Sequence, residues 1–189
     1  MAEAAIRGGA DVLQLRDKEA SDEAFLAQAK ILANLTRRLG VPLIINDRLY
    51  LAKECGADGV HLGQEDGSLV EARRVLGPDA LVGRSTHSVE QAMLAEREGF
   101  DYVGVGPVYA TPTKPGRSPV GLELVRFAAE RLEIPFVAIG GIDRKNVAVV
   151  SAAGARCVAV VRGLMGSDDP RDAAQVLLRE MEKGASHAK

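Results

Sequence analysis

A TIM (β/α)8 barrel short of its first strand is the α/β fold this chain predicts, and three observations carry that prediction. Seven short apolar runs, rich in β-branched residues, recur along 189 residues. Most are continuously apolar rather than alternating, which is the pattern of parallel strands covered on both faces. Helical stripes separate the runs, and glycine or proline marks each return from helix to strand, so strand and helix alternate as a barrel requires.

The chain opens in a helical segment, Ala2–Arg7, and the first run, Val12–Leu15, follows it. Between Asp22 and Leu39 the residues Phe25, Leu26, Ala29, Leu32, Ala33 and Leu35 share one stripe, the core face of an amphipathic helix. Ser21 or Asp22 serves as its N-cap. Leu43–Ile45, Gly59–Leu62, Leu81–Gly83, Tyr102–Val105, Phe136–Ile139 and Val158–Val161 are the later strands. Gly9-Ala10-Asp11, Gly56-Ala57-Asp58, Gly99-Phe100-Asp101 and Gly154-Ala155-Arg156 each stand between a helix and the next strand, where glycine supplies a left-handed C-cap. Val41-Pro42 and Ile134-Pro135 mark the same junction, since the residue before proline is held extended. No linker interrupts the pattern, so residues 1–189 read as one barrel domain, with 184–189 a frayed tail.

Seven strands leave an eight-stranded barrel one short, so a unit of roughly 20–30 residues is expected upstream. The gap would leave two open strand edges, which invite pairing with another chain. A homodimer about a two-fold axis is the cover such edges suggest.

Bulk composition narrows the function. A net charge of −2 argues against bulk nucleic-acid binding. No apolar stretch reaches membrane-spanning length, and the short Ala-rich start does not read as a signal peptide. Cys55 and Cys157 are the only cysteines, and both read as reduced core residues of a cytoplasmic protein.

Polar groups gather where apolar runs end. Gln14, Arg16 and Lys18 alternate along an extended segment, so they share a side as the strand leaves the sheet. A guanidinium beside an ammonium suits a diphosphate; a solvated charged loop is the plain alternative. Asn46-Asp47 ends the second visible strand, and Gln64-Glu65-Asp66 follows the third. Two carboxylates delivered beside a cationic trio match Mg2+, which takes one or two carboxylates, waters and phosphate oxygens. Either aspartate also reads as a helix cap. In Gly83-Arg84-Ser85-Thr86-His87-Ser88, His87 reads as a general base or as a group satisfying the next helix. Thr111, Thr113 and Lys114 lie in a long loop whose Pro112, Pro115, Gly116 and Pro119 suggest a shaped lid. Gly140-Gly141 after a strand, with Val160-Val161-Arg162-Gly163 after the next, is where barrels often bind phosphate.

From about Ala5 to Pro170 the chain resembles the thiamine-phosphate synthase family, on six ordered motifs. They are Gln14-Leu15-Arg16-Asp17-Lys18, Ile45-Asn46-Asp47-Arg48, Gly59 through Asp66, Gly83-Arg84-Ser85-Thr86-His87, Gly106 through Lys114, and Ala138-Ile139-Gly140-Gly141-Ile142. The resemblance implies that Gln14, Arg16, Lys18, Asn46, Ser85 and Lys114 hold a pyrimidine diphosphate, with Arg16, Lys18, Ser85 and Lys114 carrying the catalysis. It implies that Asp47 and Asp66 bind Mg2+, and that Thr111, Thr113, Gly141, Val161 and Arg162 line a thiazole-phosphate pocket. The implied reaction joins the two phosphorylated substrates into thiamine phosphate and releases pyrophosphate. Two departures accompany the resemblance: the family's first strand is missing, and Arg162 stands where some members carry serine. A thiazole tautomerase of the same fold, a sugar-phosphate isomerase or epimerase, and a pseudoenzyme that only binds phospho-ligands are the rival readings.

Overall fold

The computed structural model describes residues 1–111 and 118–186. In chain order it begins with α1 (Ala2–Arg7), β1 (Leu13–Leu15), α2 (Asp22–Leu39), β2 (Leu43–Asn46), α3 (Leu49–Cys55), β3 (Gly59–Leu62) and α4 (Leu69–Leu76). It continues with β4 (Leu81–Thr86), α5 (Val89–Glu98), β5 (Tyr102–Val105), α6 (Gly121–Arg131), β6 (Phe136–Ile139), α7 (Val147–Ala152), β7 (Val158–Ala159), α8 (Arg162–Met165) and α9 (Pro170–Ser186). Strand order follows sequence order from β1 to β7, and the pairs β1–β2, β2–β3, β3–β4, β5–β6 and β6–β7 are parallel. The fold class is thus the alternating parallel α/β pattern of the barrel enzymes, with seven strands among the described residues.

Contacts gather in two compact units, Ala10–Arg84 and Met1–Gly9 with Ser85–Lys189. In the first, every residue of β2 and β3 is buried, which explains why these strands are mostly apolar, with Asn46 and His61 as buried polar exceptions. Phe25, Ala29 and Ala33 of α2 pack with Leu15, Leu43, Ile45, Ala52 and Cys55. The Ser21 hydroxyl accepts the Ala24 N–H at 3.3 Å and starts α2. Gly40 ends that helix at φ 68°, so glycine, and not the expected Val41-Pro42 pair, makes the turn; the proline only starts the strand. Asp58 accepts the Leu43 N–H at 2.8 Å, tying the α3–β3 junction to the start of β2.

The second unit corrects the reading of the tail. α9 runs to Ser186, so Gly184–Ser186, expected to fray, are helical, and Gly184 is buried. Residues 187–189 lie outside the described residues. A Cβ at Gly184 would stand 2.0 Å from the Ala148 carbonyl oxygen, so α9 meets α7 backbone to backbone. Gly184→Val is therefore expected to lower stability by about 1–3 kcal/mol in thermal unfolding; an unchanged Tm would show that the helices do not meet this closely. Strand ends also shift. Val12 is exposed and outside β1, β4 extends through Thr86, and β7 stops at Ala159.

Candidate active site

The Ala10–Arg84 unit brings Lys18, Asp47 and Asp66 together. After β2 the backbone of Asp47 takes φ 61°, a left-handed conformation uncommon for residues other than glycine but tolerated by Asp. Its N–H donates to the His61 carbonyl at 2.9 Å, and its own carbonyl accepts the Leu49 N–H at 2.8 Å. Arg48 is the N-cap residue of α3, which has no side-chain cap. Asp47 is thereby released from the capping role its position suggested, and Lys18 Nζ stands 3.4 Å from its Oδ2.

Asp66 is likewise not the cap of α4. The Ser68 hydroxyl takes that role, accepting the Glu71 N–H at 3.2 Å. Asp66 Oδ2 instead accepts the Gly63 N–H at 3.0 Å. Burial, and next a hydrogen bond and charge repulsion from the Asp47 carboxyl, hold the Asp66 carboxyl above its ordinary pKa, against the Gly63 N–H and Lys18. A carboxyl group held up in this way by a neighbouring carboxyl forms a site that a divalent cation relieves. No group of three or more His, Cys, Asp and Glu stands together among the described residues. Two carboxylates, with other positions left to water and phosphate oxygens, is the Mg2+ pattern, so the residues present fit that ion.

Arg16 adds the anion side. Its Nε is buried and makes no hydrogen bond, at a cost of about 1–3 kcal/mol for a donor left unsatisfied. An incoming oxyanion would repay it. Asp17, one residue on, is structural: its Oδ1 accepts the N–H groups of Glu19 and Ala20, both at 3.0 Å. Gln14 is exposed and Asn46 buried.

Two arginines hold the loops that carry these groups. Arg48 donates from Nη2 to the Asp17 carbonyl at 3.1 Å and the Ala20 carbonyl at 2.7 Å, and from Nη1 to Asp22 at 2.8 Å. Its guanidinium carbon lies 4.5 Å from the centre of the Phe25 ring. Arg84 donates to the Gly67 carbonyl at 2.8 Å and the Gln64 carbonyl at 3.0 Å. Sequence reading missed both roles because their acceptors are backbone carbonyls, which no side-chain pattern announces.

The second unit holds Ser85, Thr111, Gly141, Val161 and Arg162. Ser85 is buried at the end of β4, and the neighbouring Thr86 hydroxyl donates to the Gly104 carbonyl at 3.0 Å. The His87 ring bonds the Gly106 carbonyl through Nδ1, and its backbone N–H donates to Gln91 at 2.8 Å. The Thr86 hydroxyl and the His87 ring tie the β4 and β5 ends together, while the His87 N–H reaches α5. Ser88, not His87, caps α5. The loops after β5 and β6 are sewn together: Val108 N–H donates to the Ile139 carbonyl at 2.9 Å and Tyr109 N–H to the Gly140 carbonyl at 3.0 Å. Gly141, at φ 65°, leaves no room for a side chain, since a Cβ would lie 2.7 Å from the Tyr109 Cβ. That close approach sets Gly141 against the segment leading into Thr111. Val161 and Arg162 are exposed after β7. Thr113 and Lys114 lie outside the described residues.

The sequence pattern of the thiamine monophosphate synthase family matches residues 1–164. The chain belongs to this family. A thiamine-phosphate synthase of Gloeobacter violaceus is 52% identical over 182 residues, covering 96% of this chain and 53% of that protein. One from Thermus thermophilus is 52% identical over 176 residues, covering 93% of this chain and 84% of that protein. The chain thus spans about half the length of several curated relatives it matches and most of the length of others. Among solved structures, a thiamine phosphate pyrophosphorylase from Pyrococcus furiosus superposes with a TM-score of 0.87 at 36% identity, covering 96% of this chain and 88% of that one. The family is the one that the six motifs pointed to.

Proposed function

We propose that the chain couples a pyrimidine methyl diphosphate to a thiazole phosphate, forming thiamine phosphate and releasing pyrophosphate. The observation that carries this reading is the meeting of Asp47 and Asp66 beside Lys18, in a unit where the buried Arg16 Nε has no partner. Arg16 and Lys18 bind the diphosphate, Arg16 through its planar fork and Lys18 as a point charge. The bond between the pyrimidine methylene carbon and the diphosphate oxygen breaks first, since the electron-rich ring supports the cation left behind. The electron pair leaves with the pyrophosphate, and the thiazole nitrogen lone pair then forms the new C–N bond. That path needs charge neutralised at the leaving group more than it needs a strong base, which agrees with the binding of the His87 ring to a backbone carbonyl.

Mg2+ belongs to this proposal, held by Asp47 and Asp66, and when bound it supplies charge neutralisation at the departing diphosphate. Gln14, Asn46, Ser85 and Lys114 complete the pyrimidine diphosphate side. Gly141, Val161, Arg162, Thr111 and Thr113 make up the thiazole-phosphate side. A cytoplasmic setting suits two free cysteines, and a homodimer is the proposed assembly. A thiazole tautomerase has no use for a carboxylate pair beside diphosphate-binding cations, so that reading is less favoured. The test is pyrophosphate release with each substrate alone and with both. Release that requires both substrates and Mg2+ is expected; thiazole isomerisation without pyrimidine would overturn the reading.

A further inference from the structure

We propose that Arg48 and Arg84 are positioning residues, each holding one loop of the diphosphate and Mg2+ site in place through that loop's backbone carbonyls. This rests on the reading of the site given above. The two loops carry different halves of the chemistry. Arg48 bonds the carbonyls of Asp17 and Ala20, which flank Lys18 and follow directly on Arg16. Its anchorage is independent of any ligand, through Asp22 and the face of the fully buried Phe25. Arg84 pairs in register with Leu62 on the neighbouring strand, and reaches over the loop beyond it to bond Gln64 and Gly67 on either side of Asp66.

Arg84 spans its two carbonyls with Nη1 and Nη2, whereas Arg48 holds both of its carbonyls from Nη2 while Nη1 is fixed on Asp22. In each, a planar guanidinium with donors at fixed separation serves the separated acceptors at once; a single ammonium on a flexible stem does not. Neither arginine needs to touch substrate. Each fixes where a cation or a carboxylate stands, and small displacements of such groups are costly in function. The loops therefore fail separately: loss of Arg48 misplaces Arg16 and Lys18, and loss of Arg84 misplaces Asp66.

Calorimetric titration with two probes, Mg2+ alone and inorganic pyrophosphate at saturating Mg2+, separates these effects. Arg84→Ala is expected to weaken Mg2+ by about 10–100-fold, the usual loss when support behind a metal ligand is removed. Arg48→Ala is expected to weaken pyrophosphate by up to about 100-fold without weakening Mg2+, since Lys18, the group displaced, is a cation beside Asp47. Arg48→Lys and Arg84→Lys keep the charge and guard against misfolding of the alanine variants. They are expected to recover little binding, because the guanidinium's two nitrogens together, and not the charge, hold Arg48 to Asp22 and both carbonyls and Arg84 to its two carbonyls. Full recovery in the lysine variants would overturn the proposal, as would wild-type affinities in the alanine variants or one common loss on both probes. Wild-type protein that binds neither probe would sink the reading of the site itself, and the proposal with it.

Discussion

Asp47→Asn and Asp66→Asn are each expected to lose about a thousandfold or more of Mg2+-dependent turnover while folding normally. Asparagine is the informative replacement at both positions. At 47 it tolerates the left-handed backbone at φ 61°, where alanine adds strain unrelated to the metal. At 66 its side-chain oxygen can still accept the Gly63 N–H now bound at 3.0 Å. Removing one of two repelling carboxyl groups should not lower the stability of the metal-free chain, so its Tm should stay level or rise. In wild-type protein, Mg2+ at about 100 times its Kd stabilises by about 2.7 kcal/mol, or roughly 5–10 °C for a chain of this length. Both variants should lose that increment. The pH dependence has a definite sign. A carboxyl raised in the fold costs stability as pH climbs from its ordinary value through the raised one, and the Asp66 carboxyl is raised. Mg2+ binds the deprotonated pair, so its stabilisation grows over that same window. Full activity in both variants would reduce the aspartates to loop residues.

Arg16→Ala carries the second large effect, a loss of about 10²–10³ in kcat/KM for the pyrimidine substrate. The same change should leave the Tm unimpaired, because it deletes a buried donor that has no partner in the fold. Activity lost without stability lost is the signature of a group held for its ligand. Arg16→Lys should restore only part, since an ammonium cannot form the bidentate contact. Steady-state kinetics beside thermal unfolding reads both. A variant that unfolds early, with its kinetics intact, would mean that Arg16 is a structural residue.

The strand runs were legible because parallel strands buried on both faces, such as β2 and β3, are written mainly in apolar residues. The site was legible where chemistry forces a side chain, as in the Arg16–Lys18 segment and the two aspartates. What the chain does not spell out is which of two uses a residue takes. Asp47 and Asp66 each stood where a cap belongs, and only the fold assigns the α4 cap to Ser68 and leaves α3 without one. Arg48 and Arg84 were invisible for a different reason, since their targets are carbonyls that every residue carries. The end of α9 escaped because Gly184 reads as a helix breaker, yet it continues the buried stripe of Ala174 and Leu177 and is held there by the close backbone approach to Ala148.

Calorimetry with inorganic pyrophosphate decides whether Mg2+ and a diphosphate occupy one site. Pyrophosphate is expected to bind the wild-type chain tightly only with Mg2+ present, and Asp66→Asn is expected to abolish that dependence by removing the tight binding. Equal affinity with and without Mg2+, unchanged in Asp66→Asn, would mean that the aspartates hold no metal beside the diphosphate.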